Sequence, residues 1–114
     1  MAIFGRFTQR AQRAVAAAQQ AAVMLHQPYV GTEHLLLGLL KDPGPVITDA
    51  LPASVTYDTV FEQVKSVLGE GNVQKSTMLE LTPRSKKILE GSILESRRLK
   101  HSFVGTEHFW LALL

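Results

Sequence analysis

The residues most able to do chemistry in this 114-residue chain are one tetrapeptide written twice, Gly31-Thr32-Glu33-His34 and Gly105-Thr106-Glu107-His108. An apolar run follows each copy. Each tetrapeptide is therefore predicted to open a helix, with Thr32 and Thr106 as its capping residues. A helix start carries unpaired N–H groups and a partial positive charge, which suit an anion. Glu33 and Glu107 fall in the first turn, where the helix dipole favours a carboxylate. The same carboxylate could face a ligand cation. A group with both charges close together fits such a place, its phosphate at the N–H groups and its guanidinium or ammonium at the glutamate. Thr and Glu at a helix start are also ordinary capping chemistry, with Gly31 and Gly105 serving only the turn. On these four residues alone the capping reading is favoured; their identical repetition brings the ligand reading level with it.

His34 and His108 raise the question of a metal. Neighbouring Glu and His residues project about 100° apart on a helix and do not naturally chelate one ion. Neither the Glu-x-x-His spacing of di-metal bundles nor His-Glu-x-x-His occurs. Each histidine is predicted to be packed and hydrogen-bonded beneath its turn, and no metal is expected. No phosphate-binding loop of the Gly-x-x-x-x-Gly-Lys-Ser/Thr type is present, nor a recognised nucleophile–base motif, so the chain reads as a non-enzyme without a cofactor. Arg84, Lys86, Lys87, Arg97, Arg98 and Lys100 supply half of the 12 basic residues. Glu90 and Glu95 interrupt them, so they read as a solvated helix face rather than a nucleic-acid stripe. The aromatic rings fall mostly at core-periodic positions, Phe4 being the one expected to be exposed.

The elements that position the tetrapeptides belong to a longer repeat. Residues 7–40 align without a gap on residues 81–114, at a constant offset of 74 (7 onto 81). Thr8/Thr82, Arg10/Arg84, Leu25/Leu99 and Val30/Val104 are identical, and Val15/Leu89 and Tyr29/Phe103 stay apolar. In each copy a first helix shows the apolar spacing of one face, from Phe7 through Ala11, Ala14, Val15, Ala18 and Ala22 to Leu25. Thr8 and Thr82 are predicted N-caps, and Pro83 occupies a first helical position where its missing N–H costs nothing. The first helix is expected to stop near His26 because Pro28 biases Gln27 out of the helical region. Between the copies, Lys41 to Pro45 reads as a turn cluster. A short helix is expected over Val46 to Leu51, then a helix capped by Thr56 and closed by Gly69. The predicted plan is repeat one at 7–69, an exposed linker at 70–80 and a partial repeat two at 81–114. The last helix is apolar nearly all round and should be buried. Its expected cover is either a missing helix pair or a second chain, as in a dimer through that end.

Composition agrees with a single domain. The chain is 46% hydrophobic and 19% charged, which excludes disorder along its whole length. No cysteine is present, so there is no disulfide framework or thiolate chemistry, and a reducing, cytoplasmic setting fits. A net charge of +2 argues against a nucleic-acid partner, and no stretch approaches the roughly 18 apolar residues of a membrane span. Residues 1–32 hold arginines but no acid, as a transit peptide would. Recurrence of the segment later in the chain argues instead that it belongs to the fold.

The doubled pattern, Phe-Thr-x-Arg-Ala through Tyr-Val-Gly-Thr-Glu-His-Leu-Leu-Leu-Gly-Leu-Leu and then Leu-Thr-Pro-Arg-Ser-Lys-Lys through Phe-Val-Gly-Thr-Glu-His, resembles the Clp N-terminal repeat domain of ClpC-type bacterial AAA+ unfoldases. The resemblance runs from Phe4 to Leu114. It implies an all-α fold of tandem pseudo-symmetric four-helix repeats, here with the second repeat ending after two helices. It implies a recognition module that docks adaptor proteins and protein substrates for Clp ATPase rings on the same or another chain. It further implies phosphoarginine, a degradation mark, as a ligand of Thr32, Glu33, Thr106 and Glu107. Actinobacterial relatives bind cyclic peptide antibiotics at positions matching Phe4 and Leu81, and Leu81 here replaces an aromatic. Pro43, Pro45, Pro52 and the Phe109-Trp110 pair also depart from the family pattern, as in a diverged or stand-alone member. The alternatives are a free-standing decoy for the same ligands and, more distantly, a metal-dependent helical enzyme using Glu33, His34, Glu107 and His108.

Overall fold

The computed structural model describes residues 7–69, 71 and 79–114. Phe4 and all but three residues of the expected 70–80 linker lie outside this set. The described residues form six helices: α1 (Gln9–Met24), α2 (Thr32–Lys41), α3 (Gly44–Ala50), α4 (Tyr57–Leu68), α5 (Pro83–Arg98) and α6 (Thr106–Leu113). None is long and apolar enough to cross a membrane.

The caps of α1 and α5 are those the sequence predicts. Thr8 Oγ1 accepts the Ala11 N–H at 3.1 Å, and Thr82 Oγ1 accepts that of Ser85 at 3.1 Å. Each such cap stabilises its helix by about 1 kcal/mol. The helix ends have a different cause from the expected proline. His26 and Lys100, 74 residues apart, both adopt a left-handed backbone with φ of 56° and 60°. Behind them Gln27 N–H reaches Ala22 O and His101 N–H reaches Ser96 O, at 3.0 and 2.9 Å. This is the Schellman closure. Repeat two has Ser102 where repeat one has Pro28, yet α5 stops at the same register. The turn therefore ends the helix and proline only accompanies it. Helix α3 starts at Gly44, earlier than predicted, because Pro45 sits in a first turn that needs no N–H from it.

The two repeats are interlocked. Phe7 forms a parallel bridge with Val104, and Leu81 forms one with Val30, so the start of each repeat pairs with the residue preceding the second helix of the other. Thr8 N–H donates to Val104 O at 2.9 Å, and Thr82 N–H to Val30 O at 3.0 Å. Buried Ser85 adds a crossing bond from Oγ to Val30 O at 2.9 Å. One shared core cluster results, in which Phe7, Ala11, Leu39 and Ile47 of repeat one meet Leu89, Val104 and Phe109 of repeat two. The Phe7 and Phe109 rings meet edge to face, with centroids 5.3 Å apart.

Within repeat one, α1 and α2 pack almost backbone to backbone. A Cβ added to Gly38 would overlap the Ala14 carbonyl oxygen, which is why this position carries no side chain. Helix α4 then lies across the pair, its Tyr57, Val60, Phe61 and Val64 covering Ala21, Leu25 and Leu37. Leu25 is 1% exposed, whereas its counterpart Leu99 is 40% exposed. Helix α6 departs from the expected burial. Phe109 is buried, but Trp110, Leu111 and Leu113 are only half-buried, and Leu114 is 83% exposed. Tyr29 and Phe103, read as core rings, are in fact exposed, at 53% and 40%.

Candidate functional site

The start of α2 and the start of α6 are built alike, and neither uses threonine as the cap. Gly31 and Gly105 are the N-caps, and Thr32 and Thr106 are the first helical residues. The cap bond is made in reverse: Gly31 N–H donates to His34 Nδ1 at 2.9 Å, and Gly105 N–H to His108 Nδ1 at 2.8 Å. Both histidines are buried, as expected. Each glutamate then folds back over its glycine. A Cβ on Gly31 would overlap Oε1 of Glu33, and one on Gly105 would overlap Oε1 of Glu107. Glycine thus leaves the space in which the carboxylate sits, a role beyond the turn itself.

Because Nδ1 accepts the glycine N–H, a neutral ring keeps its proton on Nε2. The 3.5 Å approach of Glu33 Oε1 to His34 Nδ1 is therefore not an ion pair. Burial pushes both histidines below their ordinary pKa, partly opposed by Glu33 at His34 and by Glu107 and Glu95 at His108. Among the described residues no three His, Asp or Glu side chains are grouped as metal ligands.

The starts differ in what the far ring nitrogen meets. His108 Nε2 lies 2.8 Å from His101 Nδ1, and His101 stacks on Phe103 with centroids 5.0 Å apart. In repeat one, Gln27 stands in the place of His101 and donates instead to Gly69 O at 3.2 Å. His34 Nε2 is left buried without a partner.

Repeat two's start opens on a cavity of about 250 Å³. Thr106 and Glu107 line it together with Phe103, with Thr8 and Arg10 from the other repeat, and with the first turn of α3. Thr106 is buried and its Oγ1 donates to Pro43 O at 3.4 Å. Thr8 Oγ1 is already an acceptor from Ala11, which leaves its own proton to donate. The cavity lining thus includes a glutamate, an arginine and two threonines. The Gly105 N–H, expected to be open to an anion, is taken by His108, and Arg10 brings a guanidinium to the cavity lining. Thr8 and Arg10, which line the cavity from the other repeat, are not singled out by the tetrapeptide motif; their identity with Thr82 and Arg84 is the signal that marks them. Thr32 and Glu33 do not line this cavity and sit half-buried at the start of α2. Leu81 is packed, half-buried, against clusters of both repeats.

The sequence profile of the Clp repeat (R) N-terminal domain matches residues 6–114. The chain belongs to the Clp N-terminal repeat family. This Clp N-domain is 48% identical over 113 residues to the ATP-dependent Clp protease ATP-binding subunit ClpC of Staphylococcus epidermidis, covering 98% of this chain and 14% of that protein. The same subunit of Staphylococcus aureus is 47% identical over the same shares. The N-domain chain therefore spans about one seventh of the length of these relatives. Among solved structures, the N-terminal domain of the caseinolytic-protease-associated chaperone ClpD from Arabidopsis thaliana superposes with a TM-score of 0.79 at 30% identity, over 96% of this chain and 76% of that one. The Hsp104 N-terminal domain from Candida albicans, at 18% identity and a TM-score of 0.73 over 94% of this chain and 72% of that one, shares the fold.

Proposed function

We propose that this Clp N-domain is a non-catalytic docking module that receives adaptor proteins or marked substrates for Clp proteolysis, and that its ligand is a side chain carrying guanidinium and phosphate together. The observation that carries the ligand class is the cavity of about 250 Å³ lined by Glu107 together with Arg10, Thr8 and Thr106. A carboxylate binds a guanidinium by paired charge-assisted hydrogen bonds, and a second guanidinium with threonine hydroxyls suits a phosphate. Phosphoarginine presents both groups joined by one N–P bond, a span a cavity of this size accommodates. The glutamate folded over Gly31 gives repeat one a similar carboxylate.

Calorimetric titration of free phosphoarginine tests this, with arginine and inorganic phosphate as comparators. Phosphoarginine should bind the intact protein, and Glu33→Ala with Glu107→Ala should weaken it at least tenfold, a loss of about 1.4 kcal/mol. No binding to the intact protein, or the same affinity in the double variant, would overturn the assignment.

A further inference from the structure

A second cavity, of about 280 Å³, lies between α1 and α2. Its floor is Ala14, Ala17 and Gly38, the small residues that let the two helices approach. Its rim carries Arg10 and Arg13 from α1 and Lys41 and Asp42 from the end of α2. The rim thus holds three cations and one carboxylate. Arg10 Nε and Arg13 Nη2 stand 3.4 and 3.6 Å from the same Asp42 oxygen, and all three side chains reach solvent. Two guanidiniums offer many more N–H donors than one oxygen at those distances can use. Lys41 is held by the Tyr57 ring, with Nζ 4.5 Å from its centroid, which positions the ammonium without neutralising it. No acidic residue occurs between positions 7 and 32 to offset the helix α1 charges. On the other side of Arg13 lies an open hollow of about 410 Å³ lined by Gln9, Gln12, Arg13 and Ala16. Arg13 thus stands between two hollows, with the amides of Gln9 and Gln20 along the track to meet an extended backbone.

We propose that this track docks an acidic peptide segment of a partner protein, with carboxylates at Arg13 and Lys41 and its backbone crossing α1. The occupant follows from charge complementarity and shape. The cations are spread over two helices rather than converging on one point, which favours successive acidic side chains over a single small anion. No aromatic ring lines either hollow to stack a base, and the net charge is only +2, which disfavours a nucleic acid. The proposal rests on the docking reading above but not on the phosphoarginine assignment. Arg10 borders both cavities, so Arg13 and Lys41 isolate this one.

The test uses the whole chain with three labelled probes: a peptide alternating glutamate and glycine, its glutamine counterpart, and a single-stranded oligodeoxynucleotide. Fluorescence anisotropy gives affinities, and amide chemical shifts locate the contact. The glutamate peptide should bind at least tenfold more tightly than the glutamine peptide and perturb α1 and the end of α2. Arg13→Gln with Lys41→Gln, both at exposed positions, should cost at least tenfold while leaving phosphoarginine affinity unchanged. Glu33→Ala with Glu107→Ala should leave the peptide affinity intact, so failure of the phosphoarginine site and failure of the groove read out separately. Equal affinity for the two peptides would overturn the proposal. So would an unchanged Arg13/Lys41 variant, or stronger perturbation of the groove by the oligonucleotide.

Discussion

His34 and His108 each accept a hydrogen bond from the glycine three residues earlier, and this fixes the neutral tautomer of both rings. At His108 the consequence extends further. Its Nε2–H must donate to His101 Nδ1, so His101 in turn keeps its proton on Nε2. Protonating His108 puts a hydrogen on Nδ1 against the Gly105 N–H. Glu107 and Glu95 favour the charged His108, but Glu95 is itself paired with Arg98 at 2.7 Å, and burial outweighs both. With folded-state pKa values below the ordinary 6.5, the unfolded chain binds more protons at mildly acidic pH. Stability from these rings is therefore full above about pH 6.5 and declines as pH falls toward the depressed folded values. The urea midpoint should be lower at about pH 5.5 than at about pH 7.5. His108→Asn, whose amide oxygen can still accept from Gly105, should shrink that difference, leaving the part due to His34. Equal midpoints at the two pH values in the parent protein would contradict the tautomer assignment. At this scale the sequence was partly legible: buried, hydrogen-bonded histidines follow from the apolar surroundings of the motif. The cap was misassigned because threonine is the stronger intrinsic capping residue, and only the three-dimensional turn shows a histidine reaching back in its place.

Between helices, the decisive contact is the one a hydrophobic pattern describes least well. The alanine face of α1 is plain from its spacing, but spacing says nothing of where along that face α2 crosses. Gly38 marks the point, with the Ala14 carbonyl directly beneath it. Because the obstructing atom belongs to the backbone of a helix, it cannot swing aside as a flexible side chain would. Gly38→Ala must therefore push α2 away from α1, at a cost of about 1–3 kcal/mol from overpacking. Alanine's better helix propensity returns at most about 1 kcal/mol. The variant should show a lower denaturant midpoint with an unchanged slope; a midpoint equal to or above the parent's would mean that the helices are less closely packed. The helix ends teach a similar lesson. Pro28 looks like a sufficient reason for α1 to stop, yet α5 ends identically without it. The left-handed residue is His26 in one copy and Lys100 in the other, and neither side chain announces that conformation as glycine would.

The fixed offset between the copies reveals two units in the chain but not that each completes the other. Two independent repeats would show the same internal identity. What excludes independence is the crossed pairing of Phe7 with Val104 and Leu81 with Val30, and a core that draws Phe7, Leu39 and Ile47 onto Leu89 and Phe109. That pairing depends on contacts remote in sequence, which periodicity within a helix does not encode. It also places Arg10 of one repeat in the same cavity as Glu107 of the other, so the proposed ligand site exists only when the repeats are joined. The expected consequence is one cooperative unfolding transition. Trp110 is the only tryptophan and reports repeat two, whereas most of the helical backbone belongs to repeat one. Tryptophan fluorescence and far-ultraviolet circular dichroism should therefore give the same denaturation midpoint. Phe109→Ala removes the ring facing Phe7 and should cost about 3–5 kcal/mol. It should move both signals together if the core is shared. Two separated transitions, or a shift confined to the tryptophan signal, would mean that the repeats fold alone and that the cavity between Arg10 and Glu107 is assembled by docking rather than by folding.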